Sequence, residues 1–133
     1  MTDFVWPVRV YYEDTDAGGV VFYANYLKYY ERARTEWLRA KGFSQHELLE
    51  ADRLAFVVRQ VEVNYLRPAR LDDECNVEVV VKKIGKARIE LEQRIVLLNN
   101  LTLLNSARVV LACVDAENFK PCSIPTKIRQ EIA

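Results

Sequence analysis

Histidine is almost absent from this chain: His46 is the only one among 133 residues. A serine or cysteine nucleophile activated by imidazole has little to draw on, because His46 lies far along the chain from the other candidate groups. Cysteine is scarce too. Cys75, Cys113 and Cys122 are odd in number and match no zinc spacing. Cys113 follows the apolar run Val109-Val110-Leu111-Ala112, the setting of a core residue rather than a nucleophile. Net charge is missing, since 19 Lys+Arg offset 19 Asp+Glu. That balance argues against a dominant nucleic-acid or membrane-surface role, while leaving room for a local basic patch. No stretch reaches the length of an apolar transmembrane helix. Met1-Thr2-Asp3 lacks the basic start of a secretory leader. Reduced thiols and a cytoplasmic location are the expectation. Linkers, repeats and low-complexity tracts are absent as well, so residues 1–133 read as a single domain.

What the chain does have is apolar surface. Half of it (50%) is hydrophobic, which suffices for one core plus an apolar interface. Residues 5–12 read as a strand. Residues 25–41 read as the main helix, with Tyr26, Leu27, Tyr30, Ala33, Trp37 and Leu38 at helical spacing and Gly42 placed for a left-handed cap. Ser44 and Glu47 form an S-x-x-E capping pattern for a short helix to about Asp52. Strand alternation follows in Val61, Val63 and Tyr65, in Cys75, Val77, Val79 and Val81, and in Ile89, Leu91 and Ile95. Turns fall at Gly85-Lys86 and Asn99-Asn100, with a long strand over roughly 102–114 and a short helix after Pro125. One long helix with about five largely antiparallel strands is an α+β pattern.

The segment Arg9 to Tyr23, RVYYEDTDAGGVVFY, carries the chemistry. An extended run enters the acidic turn Glu13-Asp14-Thr15-Asp16, and Gly18-Gly19 releases the chain into Val20-Val21-Phe22-Tyr23 just before the helix. This grammar sets a carboxylate beside backbone N–H groups that a helix start leaves unpaired. Such groups carry partial positive charge and can hold a developing oxyanion, a pairing suited to acyl transfer. The bland reading of Asp16 is an Asx-turn before Gly18. Glu13 and Asp14 read as solvated turn residues. A Mg²⁺ or Ca²⁺ site from Glu13, Asp14 and Asp16 is the weaker reading, because the ligand alternation of a calcium loop is missing.

The same residues are similar to the active-site signature of the 4-hydroxybenzoyl-CoA thioesterase family. Arg9, Val10, Thr15, Asp16, Gly19, Val20, Val21 and Tyr23 stand at matching spacing, and the likeness continues through Asn25-Tyr26, the run 31–36, Leu71-Asp72-Asp73 and Lys120-Pro121. Within that family the chain resembles the YbgC-type branch, acyl-CoA thioesterases associated with the Tol-Pal cell-envelope system. Tyr23 departs from that branch, which often carries His there, and the Val-Phe-Tyr-x-Asn-Tyr pattern looks more like the hydroxybenzoyl branch.

The resemblance implies the hotdog fold, a curled antiparallel sheet wrapped around one long helix. It implies subunits paired edge to edge, as a dimer or dimer of dimers. The implied activity is hydrolysis of a short-chain aliphatic or aromatic acyl-CoA to free acid and CoA, without metal or organic cofactor. Asp16 is then the nucleophile or the general base, the Tyr23 backbone amide is the oxyanion donor, and Gly19 shapes the turn. Glu31 is the reserve carboxylate, with an ion pair to Arg34 or a contact near Thr35 as its bland role. Phe22, Tyr26, Tyr30 and Phe56 are the acyl-pocket candidates, each equally a core residue. Lys82, Lys83, Lys86 and Arg88 are candidates for the CoA phosphates, with a solvated hairpin as the alternative. Acyl carrier protein or phospholipid-synthesis enzymes are implied as further partners, and peripheral contact at the inner membrane as a further location. The rival functions are a non-catalytic acyl-CoA or acyl-carrier binding module and a Tol-Pal interaction protein.

Overall fold

The computed structural model describes residues 3–133. Met1 and Thr2, part of the stretch read for a leader, lie outside the described residues. Five strands form one antiparallel sheet in the order β1-β3-β4-β5-β2. They are β1 (Phe4–Arg9), β2 (Leu54–Tyr65), β3 (Glu74–Ile84), β4 (Arg88–Leu97) and β5 (Leu103–Asp115). The helices are α1 (Tyr26–Ala40), α2 (Gln45–Glu47) and α3 (Thr126–Ile132).

Helix α1 forms because its apolar residues recur every third or fourth position. Tyr26, Tyr29, Tyr30, Ala33, Trp37 and Leu38 are all buried on one face. Gly42 ends it at φ 96°, a conformation that favours glycine. The sheet meets that face with rows that run across β3, β4, β5 and β2. Directly opposed residues share a face of the sheet, so the register sets Val81, Leu91, Val109 and Val61 in one row and Val79, Gln93, Ala107 and Val63 in the next. Leu91, Val109, Val79 and Gln93 are fully buried. Register shifts at Val58/Gln60, Val81/Lys83 and Ile95/Val96 interrupt the ladders, and such bulges sharpen the twist that curls a sheet. This curled sheet over one long helix is the hotdog architecture expected from the resemblance.

Polar ties also cross from helix to sheet. The Tyr30 hydroxyl donates to Asn105 Oδ1 (2.6 Å), Gln93 Nε2 donates to the Tyr30 carbonyl (3.1 Å), and Arg34 donates to Gln93 Oε1 (3.0 Å). Gln93 and Asn105 are completely buried. Glutamine and asparagine inside a strand are readable as surface residues, and only the register shows them facing the helix.

Several boundaries differ from the sequence reading. The first strand ends at Arg9 rather than residue 12, because Tyr12–Asp14 forms a 3₁₀ turn. A second 3₁₀ turn, Tyr23–Asn25, precedes α1. The S-x-x-E pattern is half formed: Ser44 Oγ accepts the Glu47 N–H (3.1 Å). Beyond Glu47 the chain widens into a π turn, Leu48–Asp52, and leaves it through Arg53 at φ 56°. Strand β2 starts at Leu54, well before the alternation beginning at Gln60, because the bulge breaks its phase.

Candidate active site

The acidic segment folds as a small clasp. Val10 is buried, and the loop after β2 braces it: its N–H donates to the Asp73 carbonyl (2.9 Å), and the Asp72 N–H donates to the Val10 carbonyl (3.0 Å). The chain then turns back on itself, with Thr15 bridged to Val21 and Val20 bridged to Arg70. The tip of this miniature hairpin is Asp16 to Gly19. Asp16 N–H donates to the Val20 carbonyl (2.9 Å) and Gly19 N–H to the Asp16 carbonyl (3.0 Å). Gly19 sits at φ 76°. Gly18 supplies space instead: a Cβ there would stand 3.3 Å from Asp16 Oδ1.

Asp16 is exposed at that tip. Its Oδ1 accepts the Gly18 N–H (2.8 Å), the Asx-turn of the bland reading. Its Oδ2 meets no donor among the described residues. The Asx-turn and a chemical role are compatible, since one oxygen is tethered and the other meets no donor among the described residues.

The return strand leads straight into the turn at Tyr23. No acceptor among the described residues meets the N–H of Tyr23 or Ala24, as expected where a helical segment begins. The Tyr23 side chain is exposed, and its carbonyl accepts the Tyr65 hydroxyl (2.9 Å). Tyr26 packs edge-on against Tyr65 with ring centres 5.5 Å apart, and its hydroxyl accepts the Ala69 N–H (3.1 Å). Val21, Tyr23, Tyr26, Tyr65, Leu66, Arg67 and Pro68 line a cleft of about 220 Å³ here. Tyr65 and Arg67 entered no reading of the sequence as site residues, because they lie more than forty residues from Tyr23, Tyr65 by 42.

Asp14 corrects the sequence reading. It is a buried carboxylate, only 6% exposed, while Glu13 is solvated as expected. Asp14 Oδ2 accepts the Tyr11 N–H (2.9 Å) and Oδ1 accepts Asn25 Nδ2 (2.9 Å). The Tyr29 hydroxyl is buried beside it without a hydrogen bond of ordinary geometry, and its pKa is pushed up by burial and by the Asp14 charge. The run of polar residues 13–16 cannot reveal this, because the side-chain partner Asn25 arrives from the helix start. Among the described residues no cluster of His, Cys, Asp and Glu could hold a metal ion.

The remaining candidates scatter. Glu31 is exposed and accepts the Thr35 hydroxyl (2.5 Å), with no ion pair to Arg34. Tyr30 is fully buried against the sheet. Phe22 is half exposed and touches Tyr23, with ring centres 4.8 Å apart. Phe56 lines a different cleft, about 210 Å³, with His46, Leu48 and Leu49. Lys83, Lys86 and Arg88 do converge, joined by Arg59, Glu90 and Pro121 around a cleft of about 310 Å³; Lys82 is not in its lining. Arg59 was missed because it occupies the β2 bulge, where side-chain direction departs from alternation.

Comparison with known proteins places the chain in a family. Residues 10–132 match the model of the thioesterase-like superfamily. The chain is 52% identical over 130 residues to the acyl-CoA thioester hydrolase YbgC of Escherichia coli, covering 98% of this chain and 96% of that protein. The structure of a probable thioesterase from Bartonella henselae is 38% identical, with a TM-score of 0.84 over 91% of this chain and 98% of that one. A 1,4-dihydroxy-2-naphthoyl-CoA thioesterase from Synechocystis shares the fold at a TM-score of 0.90 and 22% identity, over 97% and 94% of the two chains. Matched over residues 10–132 and sharing half its residues with a relative of nearly the same length, the chain is a thioesterase and belongs to the YbgC family of acyl-CoA thioesterases within the thioesterase-like superfamily.

Proposed function

We propose that this chain hydrolyses the thioester of an acyl-CoA, with Asp16 as the reacting carboxylate and the Tyr23 backbone N–H as oxyanion donor. The observation that carries this reading is the short hairpin between them. It holds an exposed carboxylate with one untethered oxygen on a clasp that ends at two N–H groups without an acceptor among the described residues. Gly19 contributes the positive φ that closes the turn.

Two balanced routes use these groups. In the first, an Asp16 oxygen attacks the carbonyl carbon, the C–S bond breaks, CoA leaves as thiolate, and water hydrolyses the mixed anhydride. In the second, Asp16 takes a proton from water as the water attacks, and that proton passes to the departing thiolate. In both, negative charge grows on the carbonyl oxygen, where an N–H dipole aimed at it lowers the barrier. The cleft of about 220 Å³ beside Tyr23 and Tyr26 suits a short-chain aliphatic or aromatic acyl group. The basic cleft of Arg59, Lys83, Lys86 and Arg88 suits the CoA phosphates, Lys82 joining them from outside the lining.

A homo-oligomer and a cytoplasmic setting belong to the same reading. No described helix is long and apolar enough to cross a membrane. The deciding experiment is Asp16→Asn, which keeps volume and removes charge. Thiol release from acyl-CoA should fall at least about 10²-fold, the lower range for losing a positioned acid–base group. Wild-type turnover in a folded Asp16→Asn enzyme would move the assignment to Glu31.

A further inference from the structure

We propose that Asp14 is the positioning residue of this site, an internal latch that fixes the Tyr23 N–H relative to Asp16. The proposal rests on the reading of Asp16 and Tyr23 given above.

The geometry is specific. Asp14 stands between the two arms of the clasp and ties both. On the strand side, its Oδ2 accepts the Tyr11 N–H, closing the 3₁₀ turn that starts the acidic loop. On the helix side, its Oδ1 accepts Asn25 Nδ2, and its own carbonyl accepts the Phe22 N–H (2.9 Å). Phe22 immediately precedes the turn Tyr23–Asn25, and Asn25 is its last residue. One buried residue thus holds both ends of the segment whose N–H groups are free, while Asp16 sits only two residues further on. A buried carboxylate left without donors is costly, so its partners are held to it strongly. Asp14 itself faces the sequestered side of the loop at 6% exposure, so its role is to aim other groups rather than to meet substrate.

Placement to within a fraction of an ångström matters for such a site, because small displacements of reacting groups lower rate without loosening binding. Two variants probe the latch. Asp14→Asn keeps the shape but gives the residue only one acceptor atom for its two donors. Asn25→Ala removes one of those donors and leaves Asp14 unchanged. Both should lower kcat by about tenfold or more while KM for the acyl-CoA stays within about twofold, the split expected when only transition-state contacts suffer. The exchange Asp14→Asn/Asn25→Asp restores a donor to one side and an acceptor to the other, so it should recover most of the lost kcat. Amide exchange by mass spectrometry over residues 11–25 supplies a readout independent of turnover. It should quicken at Phe22 in the single variants and slow again in the exchange.

If kcat stays near wild type in a folded Asp14→Asn or Asn25→Ala enzyme, the latch is overturned. It is equally overturned if KM rises in step with the loss, or if the folded double variant leaves the kcat defect unrelieved. An Asp14→Asn chain that does not fold leaves Asn25→Ala to decide. Failure of the underlying reading is separate: full turnover in Asp16→Asn removes the Asp16 assignment whatever Asp14 does. A dead Asp16→Asn beside an unimpaired Asp14→Asn removes only the latch.

Discussion

Two residues carry tests at the smallest scale. Tyr23 has an exposed phenol and an unpaired N–H, and the two can be separated. Tyr23→Phe keeps the backbone and should hold kcat within a few-fold. Tyr23→Pro deletes the N–H, and losing one oxyanion donor typically lowers kcat by about 10²–10³. Proline is tolerated at a helix start because that N–H has no partner, so circular dichroism and oligomer size should match wild type. A severe Tyr23→Phe defect with a mild Tyr23→Pro defect would make the phenol the reacting group. Asp14 carries a pH test. Burial alone would raise its pKa, but the Tyr11 N–H, the Tyr29 and Asn25 side chains and the Arg32 charge outweigh it and hold Asp14 below the ordinary 3.8. A carboxyl depressed in the folded state stabilises above its unfolded value and loses that contribution as pH falls through and below 3.8. Denaturant titrations should therefore show wild type losing more stability than Asp14→Asn between about pH 6 and pH 3. Parallel curves would mean the buried carboxylate contributes nothing to the fold.

Among the elements, the β3–β4 turn is the one whose role can be read from its bracing. Its backbone is pinned independently of its basic side chains. Arg129 of α3 donates to the Gly85 carbonyl (2.8 Å), the Ile124 N–H to the Lys86 carbonyl (2.9 Å), and the Cys113 N–H to the Ala87 carbonyl (2.7 Å). Removing the charges of Lys83 and Lys86 together should thus leave the fold intact. It should raise KM for acyl-CoA and spare kcat, the mark of uniform binding. The effect should shrink as salt rises, because exposed charges are screened. A truncated thioester without the nucleotide should be indifferent to the change, and equal loss on both substrates would assign the turn to structure alone.

For the molecule as a whole, the sheet leaves an edge to be covered. Strand β2 is an edge strand of 12 residues with Val58, Val61 and Tyr65 exposed. Long, apolar edges with unpaired N–H and C=O groups recruit another strand. Light scattering should give a dimer at least, and a tetramer if dimers pair, against a chain mass of 15.5 kDa. A stable monomer at micromolar concentration would contradict this. The edge also bears on the site, since Tyr65 at the end of β2 bonds the Tyr23 carbonyl.

The chain by itself determined what depends on near neighbours. The buried face of α1 follows from residues three and four apart, the strands β3 and β4 from their alternating apolar residues, and the Asp16–Gly19 turn from its two glycines. The signature residues were legible for the same reason, being packed within Arg9 to Tyr23. Tertiary structure alone decided the rest. It buried Asp14 against Asn25, turned Gln93 and Asn105 inward, brought Arg59 to the basic turn, and set Tyr65 on Tyr23. Each of these depends on where a distant segment arrives after the sheet has curled and the helix has docked. Local periodicity fixes which face a residue occupies, whereas the partner waiting on that face is chosen by strand register and loop closure across the molecule.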